Sequence, residues 1–115
     1  MKVMIVDDHA EMRRLLRSML SDLASELTEC ADGAEAVAAF AQARPDWTIM
    51  DITMKGMGGL EATRQIQKQF GNARIIVLTQ HDTPHMRAAA FEAGACAFVS
   101  KDNLAQLGTI LRSEL

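Results

Sequence analysis

Polar residues that could do chemistry together stand at the ends of four short apolar runs. These stops are Asp7 with Asp8, Asp51, Thr79, and Ser100 with Lys101. Short apolar runs separated by helical patterns are typical of buried parallel strands. Ligands of open parallel sheets bind beyond the carboxyl ends of the strands. We therefore expect three carboxylates, a hydroxyl and an ammonium group to meet at one edge of a sheet.

The acidic members of this set predict a magnesium site. Neighbouring strands lie about 5 Å apart, so Asp7, Asp8 and Asp51 would repel one another unless a cation or a proton intervened. Mg²⁺ prefers oxygen ligands and is often held by one or two carboxylates together with a phosphate. An acidic pair on one strand and a single aspartate on the next suit that geometry.

The remaining two members extend the chemistry to phosphoryl transfer. Lys101 can offer a positive charge to one phosphate oxygen, and Thr79 can donate a hydrogen bond to another. Lys101 and Mg²⁺ would also neutralise charge that develops on a transferred phosphoryl group. Asp51 would then be the nucleophile. The set predicts Mg²⁺-dependent phosphorylation of Asp51.

The elements that must position these residues follow from the hydrophobic periodicity. Strands are predicted at 2–6, 26–30, 47–51, 74–79 and 95–99. Helical patterns lie between them, and the first has an apolar stripe made of Met12, Leu15, Leu16, Met19, Leu20 and Leu23. Five strand–helix units in succession predict an α/β fold with a parallel sheet and helices on both faces. A chain of 115 residues fits one domain, 1–115.

Capping signals predict where several helices begin. The spacing of a capping box places Asp8 and Glu11 at the start of the first helix and Asp32 and Glu35 at the start of the second. Thr83 and Pro84 have the types expected at the N-cap and first position of the fourth helix. Asp102 is predicted to cap the fifth.

The overall composition indicates which kinds of partner the protein can bind and where in the cell it is expected. A net charge of −3 argues against direct binding of nucleic acid, and the cluster Arg13, Arg14 and Arg17 is interpreted as a solvated helix face. The apolar runs are too short to span a membrane, and no signal peptide is visible, so a cytoplasmic location is expected. Cys30 and Cys96 both fall in predicted strands and are expected to be buried, inert thiols.

These pieces together resemble the receiver domain of two-component response regulators over the whole chain. The matching segments are Val6-Asp7-Asp8-His9, Asp46 to Asp51 followed by Ile52-Thr53-Met54, Gly56-Met57-Gly58-Gly59, Leu78-Thr79, and Phe98-Val99-Ser100-Lys101. The pattern is most similar to receivers of the LuxR/NarL type, through Asp51-Ile52, Gly59-Leu60-Glu61-Ala62-Thr63 and Lys101-Asp102. Those proteins carry a helix-turn-helix output module, which is absent from this sequence. The chain is therefore part of a longer protein or acts as a stand-alone domain.

The resemblance implies a flavodoxin-like sheet with strand order 2-1-3-4-5 and a role for each site residue. Asp51 would accept phosphate from a sensor histidine kinase or a phosphotransfer protein. Asp7, Asp8, Asp51 and the backbone carbonyl of Thr53 would hold Mg²⁺. Thr79 would then move toward the phosphoryl group and Phe98 would swing inward. The surface of helix four, strand five and helix five would change, and a homodimer or an output module would read that change.

Four residues beside the site set this chain apart. Two of them differ from the residue types usual in receivers, and two occupy positions whose residue type varies within the family. Met54-Lys55 replaces the usual Met-Pro, and Gln80 follows Thr79 where a small residue is usual. Thr53 and His81 occupy the two positions that tune hydrolysis of the phosphorylated aspartate in the family. We expect Gln80 and His81 to alter access of water and small phosphodonors to Asp51.

Three alternative functions compete with this interpretation. A receiver-like docking module would work without phosphorylation. An aspartate-nucleophile phosphatase usually has a second aspartate two residues after the nucleophile, where this chain has Thr53. A flavodoxin-like nucleotide-binding protein would need a glycine-rich loop after the first strand. Enzymatic activity beyond phosphorylation and dephosphorylation of Asp51 is not expected. His9 and His81 lack the spacing of a histidine metal site.

Overall fold

Five parallel strands alternate with five α-helices in the computed structural model, which describes residues 1–113. The strands are β1 Lys2–Val6, β2 Glu26–Cys30, β3 Trp47–Asp51, β4 Ile75–Thr79 and β5 Ala97–Ser100. The helices are α1 Ala10–Leu20, α2 Gly33–Ala43, α3 Gly59–Phe70, α4 Pro84–Ala93 and α5 Ala105–Arg112. A short 3₁₀ turn, Lys101–Asn103, joins β5 to α5.

The strands form one sheet in the order β2-β1-β3-β4-β5, with every neighbouring pair parallel. This confirms the predicted flavodoxin-like topology. The central strands β3 and β4 are buried along their whole length, which explains why they read as continuous apolar runs. None of the helices between residues 1 and 113 is long and apolar enough to cross a membrane.

Two apolar layers hold the helices to the sheet. On one face Leu16 and Leu20 of α1 pack with Leu107 and Leu111 of α5. On the other face a second cluster joins α2 to α3, and it includes Ala36, Phe40, Ala62 and Ile66. Successive strand residues alternate between the faces. Burial on both faces fixes the strand register, because a slip of one residue would turn every side chain to the opposite face.

Of the four predicted helix N-caps, those of α2 and α4 are confirmed and those of α1 and α5 are wrong. The Asp32 carboxylate accepts a hydrogen bond from the Glu35 N–H at 2.8 Å, and the Thr83 hydroxyl oxygen accepts one from the Met86 N–H at 3.1 Å. Helix α1 instead has His9 at its N-cap, with no side-chain capping bond. Asp8 therefore does not cap α1.

The start of α5 differs from the prediction for a local reason. The chain after β5 first forms the 3₁₀ turn, in which the Ser100 hydroxyl oxygen accepts a hydrogen bond from the Asp102 N–H at 3.1 Å. The N-cap of α5 is Leu104, which makes no side-chain capping bond. The residue that caps this segment is therefore Ser100, and Asp102 does not cap α5.

The two cysteines lie on opposite edges of the sheet, and only one of them is in a strand. Cys30 ends β2 and is buried, and this burial, with Glu35 and Asp32 nearby, raises the pKa of its thiol to about 11. Cys96 is exposed and precedes β5, which begins at Ala97 rather than at 95 as predicted. The expectation of two buried strand cysteines is therefore wrong for Cys96.

Candidate phosphoacceptor and metal site

The strand register brings the predicted site residues to one edge of the sheet. Val6 of β1 pairs with Met50 of β3, so Asp7 and Asp51 follow at the same level on adjacent strands. Thr79 pairs with Ser100, and Lys101 follows Ser100 directly. The four strand ends chosen from the sequence therefore meet at the same edge.

Asp51 is a buried carboxylate with its two oxygens in different surroundings. Its side chain is 2% exposed. Lys101 Nζ lies 3.3 Å from Asp51 Oδ1, and the Thr53 N–H donates a long hydrogen bond of 3.4 Å to the same oxygen. Asp51 Oδ2 is buried and has no hydrogen-bond partner among residues 1–113. One oxygen is thus held in place and the other is available to react.

The surroundings of Asp51 shift its protonation. Burial raises the pKa of the Asp51 carboxyl above its ordinary value, and repulsion from Asp7 raises it further. Lys101 and the Thr53 N–H lower this pKa and partly offset both effects. A divalent cation beside Asp51 and Asp7 would remove the repulsion.

The acidic residues have the geometry of a cation site. Asp7, Asp8, His9 and Asp51 offer ligand atoms that all lie within 4.8 Å of one another. Asp51 Oδ2 is buried and has no hydrogen-bond partner in the described part of the chain, whereas buried Asp8 Oδ1 lies 2.9 Å from His9 Nδ1. Three clustered carboxylates, one of which has a buried oxygen without a hydrogen bond, fit Mg²⁺, which prefers oxygen ligands. The donor set therefore fits the predicted cofactor.

His9 lies closer to the acidic residues than its spacing suggested. Its Nδ1 is 2.9 Å from Asp8 Oδ1 and 3.3 Å from Asp7 Oδ1, and its backbone N–H donates to Asp7 Oδ1 at 2.8 Å. The side chain is 70% exposed. Proximity of His9 to Asp7 and Asp8 could have been inferred from its position directly after them, because the chain must turn there to enter α1 and the turn brings the three side chains together.

Thr79 and the two residues after it lie where the sequence placed them. Thr79 is buried, and its hydroxyl oxygen accepts a hydrogen bond from the His81 N–H at 3.0 Å. Its hydroxyl proton remains available to a phosphoryl oxygen. A cavity of about 70 Å³ at the site is lined by His9, Asp51, Thr53, Gln80, His81 and Lys101. Gln80 and His81 therefore border the route to Asp51.

Phe98 points inward in this structure. It is 6% exposed and packs against Ile52 and Val77. The Arg87 guanidinium lies 4.8 Å from the centre of its ring, and Asp82 binds that guanidinium through two hydrogen bonds of 2.8 and 3.0 Å. No pattern near Arg87 or Phe98 in the sequence indicated that Arg87 would cover this ring.

Arg13 is the functional neighbour that the sequence interpretation missed. Its Nη1 donates a hydrogen bond of 2.7 Å to the backbone carbonyl oxygen of Asp7. The Arg13 side chain is 20% exposed, whereas Arg14 and Arg17 are exposed. The interpretation as a solvated face holds for those two arginines and is wrong for Arg13.

Comparison with known proteins identifies the family. The family model of the response regulator receiver domain matches residues 3–112. The chain therefore belongs to this family, and its fold agrees with that membership.

Individual relatives include both single-domain and longer proteins. The chain is 39% identical over 101 residues to the chemotaxis protein CheY of Thermotoga maritima, which covers 87% of this chain and 84% of that protein. It is 35% identical over 107 residues to the transcriptional regulatory protein LiaR of Bacillus subtilis, covering 90% of this chain and 50% of LiaR. The chain thus spans about half the length of several curated relatives that it matches.

Among solved structures, a LuxR-family two-component response regulator from Aurantimonas sp. SI85-9A1 superposes with a TM-score of 0.86 at 36% identity. The match covers 97% of this chain and 85% of that one. This similarity agrees with the LuxR/NarL-like pattern in the sequence.

Proposed function

We propose that this receiver domain is a signalling switch in which Asp51 accepts a phosphoryl group from a sensor histidine kinase or a phosphotransfer protein. One observation carries the proposal. The buried Asp51 carboxylate has Lys101 on one oxygen and, on the other, no hydrogen bond from residues 1–113. A carboxylate that served only structure at this depth would have both oxygens hydrogen-bonded.

The transfer reaction uses this asymmetry. Asp51 Oδ2 attacks phosphorus, the bond between phosphorus and the donor breaks, and the donor leaves with its electron pair. Lys101 and the Thr79 hydroxyl bind oxygens of the transferred group. Mg²⁺ held by Asp7, Asp8, Asp51 and the Thr53 carbonyl would neutralise charge on the phosphoryl oxygens.

Phosphorylation then favours a second arrangement of the molecule. Thr79 moves toward the phosphoryl group, and the surface of α4, β5 and α5 changes. The predicted inward swing of Phe98 is not needed, because its ring is already buried in this structure. Similarity to a transcriptional regulator and to a LuxR-family protein supports a transcriptional output, read by an attached module or by a homodimer. In this proposal the chain is not an enzyme and does not itself bind nucleic acid.

Phosphorylation by a small-molecule donor tests the proposal. The purified chain is incubated with acetyl phosphate, with Mg²⁺ or with a chelator, and its intact mass is measured. We expect a gain of one phosphoryl group that requires Mg²⁺. A folded chain that gains no phosphoryl group from acetyl phosphate or from a histidine kinase would contradict the proposal and favour a docking module.

The residues beside the cavity give a kinetic prediction. Gln80 and His81 border the approach to Asp51, so Gln80→Ala should open it to water and to acetyl phosphate. We expect faster labelling and a shorter lifetime of phosphorylated Asp51, measured by mass spectrometry over time. Gln69→Ala, an exposed glutamine on α3, is the matched control. Equal lifetimes in wild type and Gln80→Ala would show that Gln80 has no such role.

A further inference from the structure

We infer that Arg13 is a positioning residue for the cation site, which it serves by fixing the backbone of Asp7. The inference rests on the proposed function, because it assigns Arg13 a part in binding Mg²⁺. Its basis is the 2.7 Å hydrogen bond from Arg13 Nη1 to the Asp7 carbonyl oxygen. That carbonyl belongs to the peptide that joins Asp7 to Asp8, so its orientation affects both carboxylates.

Asp7 is held at every polar atom. Its N–H donates to the Cys30 carbonyl oxygen at 3.1 Å, and its Oδ1 accepts the His9 N–H at 2.8 Å. Its Oδ2 lies 3.4 Å from Lys101 Nζ. The carbonyl oxygen, held by Arg13, completes the set. Without Arg13 this carbonyl would lose its charge-assisted bond, and the peptide between Asp7 and Asp8 would lose one of the contacts that fix its orientation.

Arg13 is itself oriented by Glu29 of β2. Arg13 Nε donates to Glu29 Oε1 at 3.2 Å, and Arg17 Nε donates to Glu29 Oε2 at 2.7 Å. Side-chain exposures of 20% for Arg13 and 30% for Glu29 leave this pair partly shielded from solvent. Glu29 thus links the edge strand β2 through Arg13 to the metal-binding end of β1.

Positioning and charge predict opposite effects when Arg13 is removed. If Arg13 orients the acidic pair, its loss weakens Mg²⁺ binding. If it acts only as a nearby positive charge, its loss strengthens Mg²⁺ binding, because a repulsion is removed. Arg17 is the matched control. It pairs with the same Glu29 carboxylate, and the structure gives it no hydrogen bond to Asp7 within residues 1–113.

The test is calorimetric titration of the whole chain with Mg²⁺, without any phosphodonor. We expect Arg13→Gln to raise the Mg²⁺ dissociation constant about tenfold, the low end for residues that orient metal ligands. Arg17→Gln should leave it unchanged or lower it. Arg13→Lys, which keeps the charge and one donor direction, should restore part of the affinity.

Each outcome decides the inference. An unchanged or lower dissociation constant for Arg13→Gln overturns it, as does an equal increase in Arg17→Gln. Thermal unfolding without metal shows whether each variant is folded, and if Arg13→Gln is not, Arg13→Lys replaces it, because it keeps the charge and a dissociation constant above that of wild type then reports lost positioning. Failure of the wild type to bind Mg²⁺ would overturn the cation site itself, and so is distinguishable from failure of Arg13 alone.

Discussion

At the scale of single residues, the proposed chemistry of this receiver domain depends on buried polar atoms that have no hydrogen-bond partner. Most buried polar groups in proteins have a hydrogen-bond partner. Within residues 1–113 the exceptions include Asp51 Oδ2, which lies in the proposed site, and the Thr48 hydroxyl, which does not belong to it. A cation or a phosphoryl group at the proposed site would explain Asp51 Oδ2, whereas neither would explain the Thr48 hydroxyl.

The raised pKa of Asp51 predicts how stability depends on pH in the metal-free protein. A carboxyl whose pKa is higher in the folded state stabilises the fold most below the ordinary pKa, and that contribution is lost as pH rises through the folded-state pKa. Burial and Asp7 cause the increase. Wild type should therefore lose unfolding free energy relative to Asp51→Asn as pH rises from acidic values to neutrality.

Urea unfolding of both proteins with a chelator present measures this difference across the pH range. A difference that stayed flat, or that grew in favour of wild type with rising pH, would contradict the assigned cause. Titration of the other carboxyl groups is largely common to both proteins and cancels in the comparison.

Two fully buried threonines offer a matched test of hydrogen bonding. The Thr48 hydroxyl has no hydrogen-bond partner among the described residues, whereas the Thr63 hydroxyl donates to the Gly59 carbonyl oxygen at 2.8 Å. A buried unsatisfied polar group costs about 1–3 kcal/mol. Thr48→Val should raise the free energy of unfolding by about 1 kcal/mol and Thr63→Val should lower it by about as much. Chemical denaturation checks both, and destabilisation by Thr48→Val would show that its hydroxyl has a partner.

At the scale of elements, the predictions from sequence succeeded where one strong physical signal acted alone. The strand ends were predictable because burial on both faces gives continuous apolar runs that stop where the site begins. The cap at Asp8 failed because a carboxylate there can serve a helix N-terminus or a cation, and in this structure it faces the acidic cluster. Leu15 was placed in the apolar stripe of α1 but is 45% exposed, because Leu16 and Leu20 occupy the face on the sheet.

Contacts between distant segments left no periodic signal at all. Nothing in the spacing of Arg13 indicated the Asp7 carbonyl, and nothing near Arg87 indicated the Phe98 ring. Such contacts depend on how α1 and α4 lie on the sheet, which local sequence does not determine. The site itself was predictable, whereas the residues that support it were not.

The start of α3 packs directly on the backbone of Asp51, the proposed acceptor residue. A Cβ at Gly59 would overlap the carbonyl oxygen of Asp51, whereas a Cβ at Gly58 would make an ordinary 3.6 Å contact with the Ile52 carbonyl oxygen. Gly59→Ala should therefore lower the free energy of unfolding by about 3 kcal/mol, as overpacking does, and slow labelling of Asp51 by acetyl phosphate.

Gly58→Ala is the control for this helix start, since it adds the same methyl group at the N-cap position. It should cost about 1 kcal/mol or less, the range for loss of a favourable N-cap residue. Thermal or urea unfolding of the two variants gives the comparison. Equal stabilities would mean that α3 can move away from Asp51 freely, contrary to this packing.

At the scale of the whole molecule, cation binding at the proposed acidic site would be linked to folding. A ligand that binds only the folded state stabilises it by about 2.7 kcal/mol at a concentration 100 times its dissociation constant. Mg²⁺ should therefore raise the unfolding temperature of wild type. Asp8→Asn should reduce or abolish the increase, while Asp22→Asn, which removes the same charge at an exposed position outside the acidic cluster, should not.

Differential scanning calorimetry with and without Mg²⁺ measures these shifts. An equal increase in all three proteins would indicate a general ionic effect rather than binding at the acidic cluster. The sheet connects that cluster at the ends of β1 and β3 to Phe98 on β5 through the intervening strand β4. Binding and switching would therefore involve one continuous structural element.

The central claim is that Asp51, and no other residue, accepts the phosphoryl group. Borohydride reduces an aspartyl phosphate to homoserine, so peptide mass spectrometry after labelling with acetyl phosphate and Mg²⁺ can locate it. The account predicts homoserine at position 51 in wild type and none in Asp51→Asn. Homoserine at Asp7 or Asp8 instead, or a phosphoryl group retained in Asp51→Asn, would contradict it.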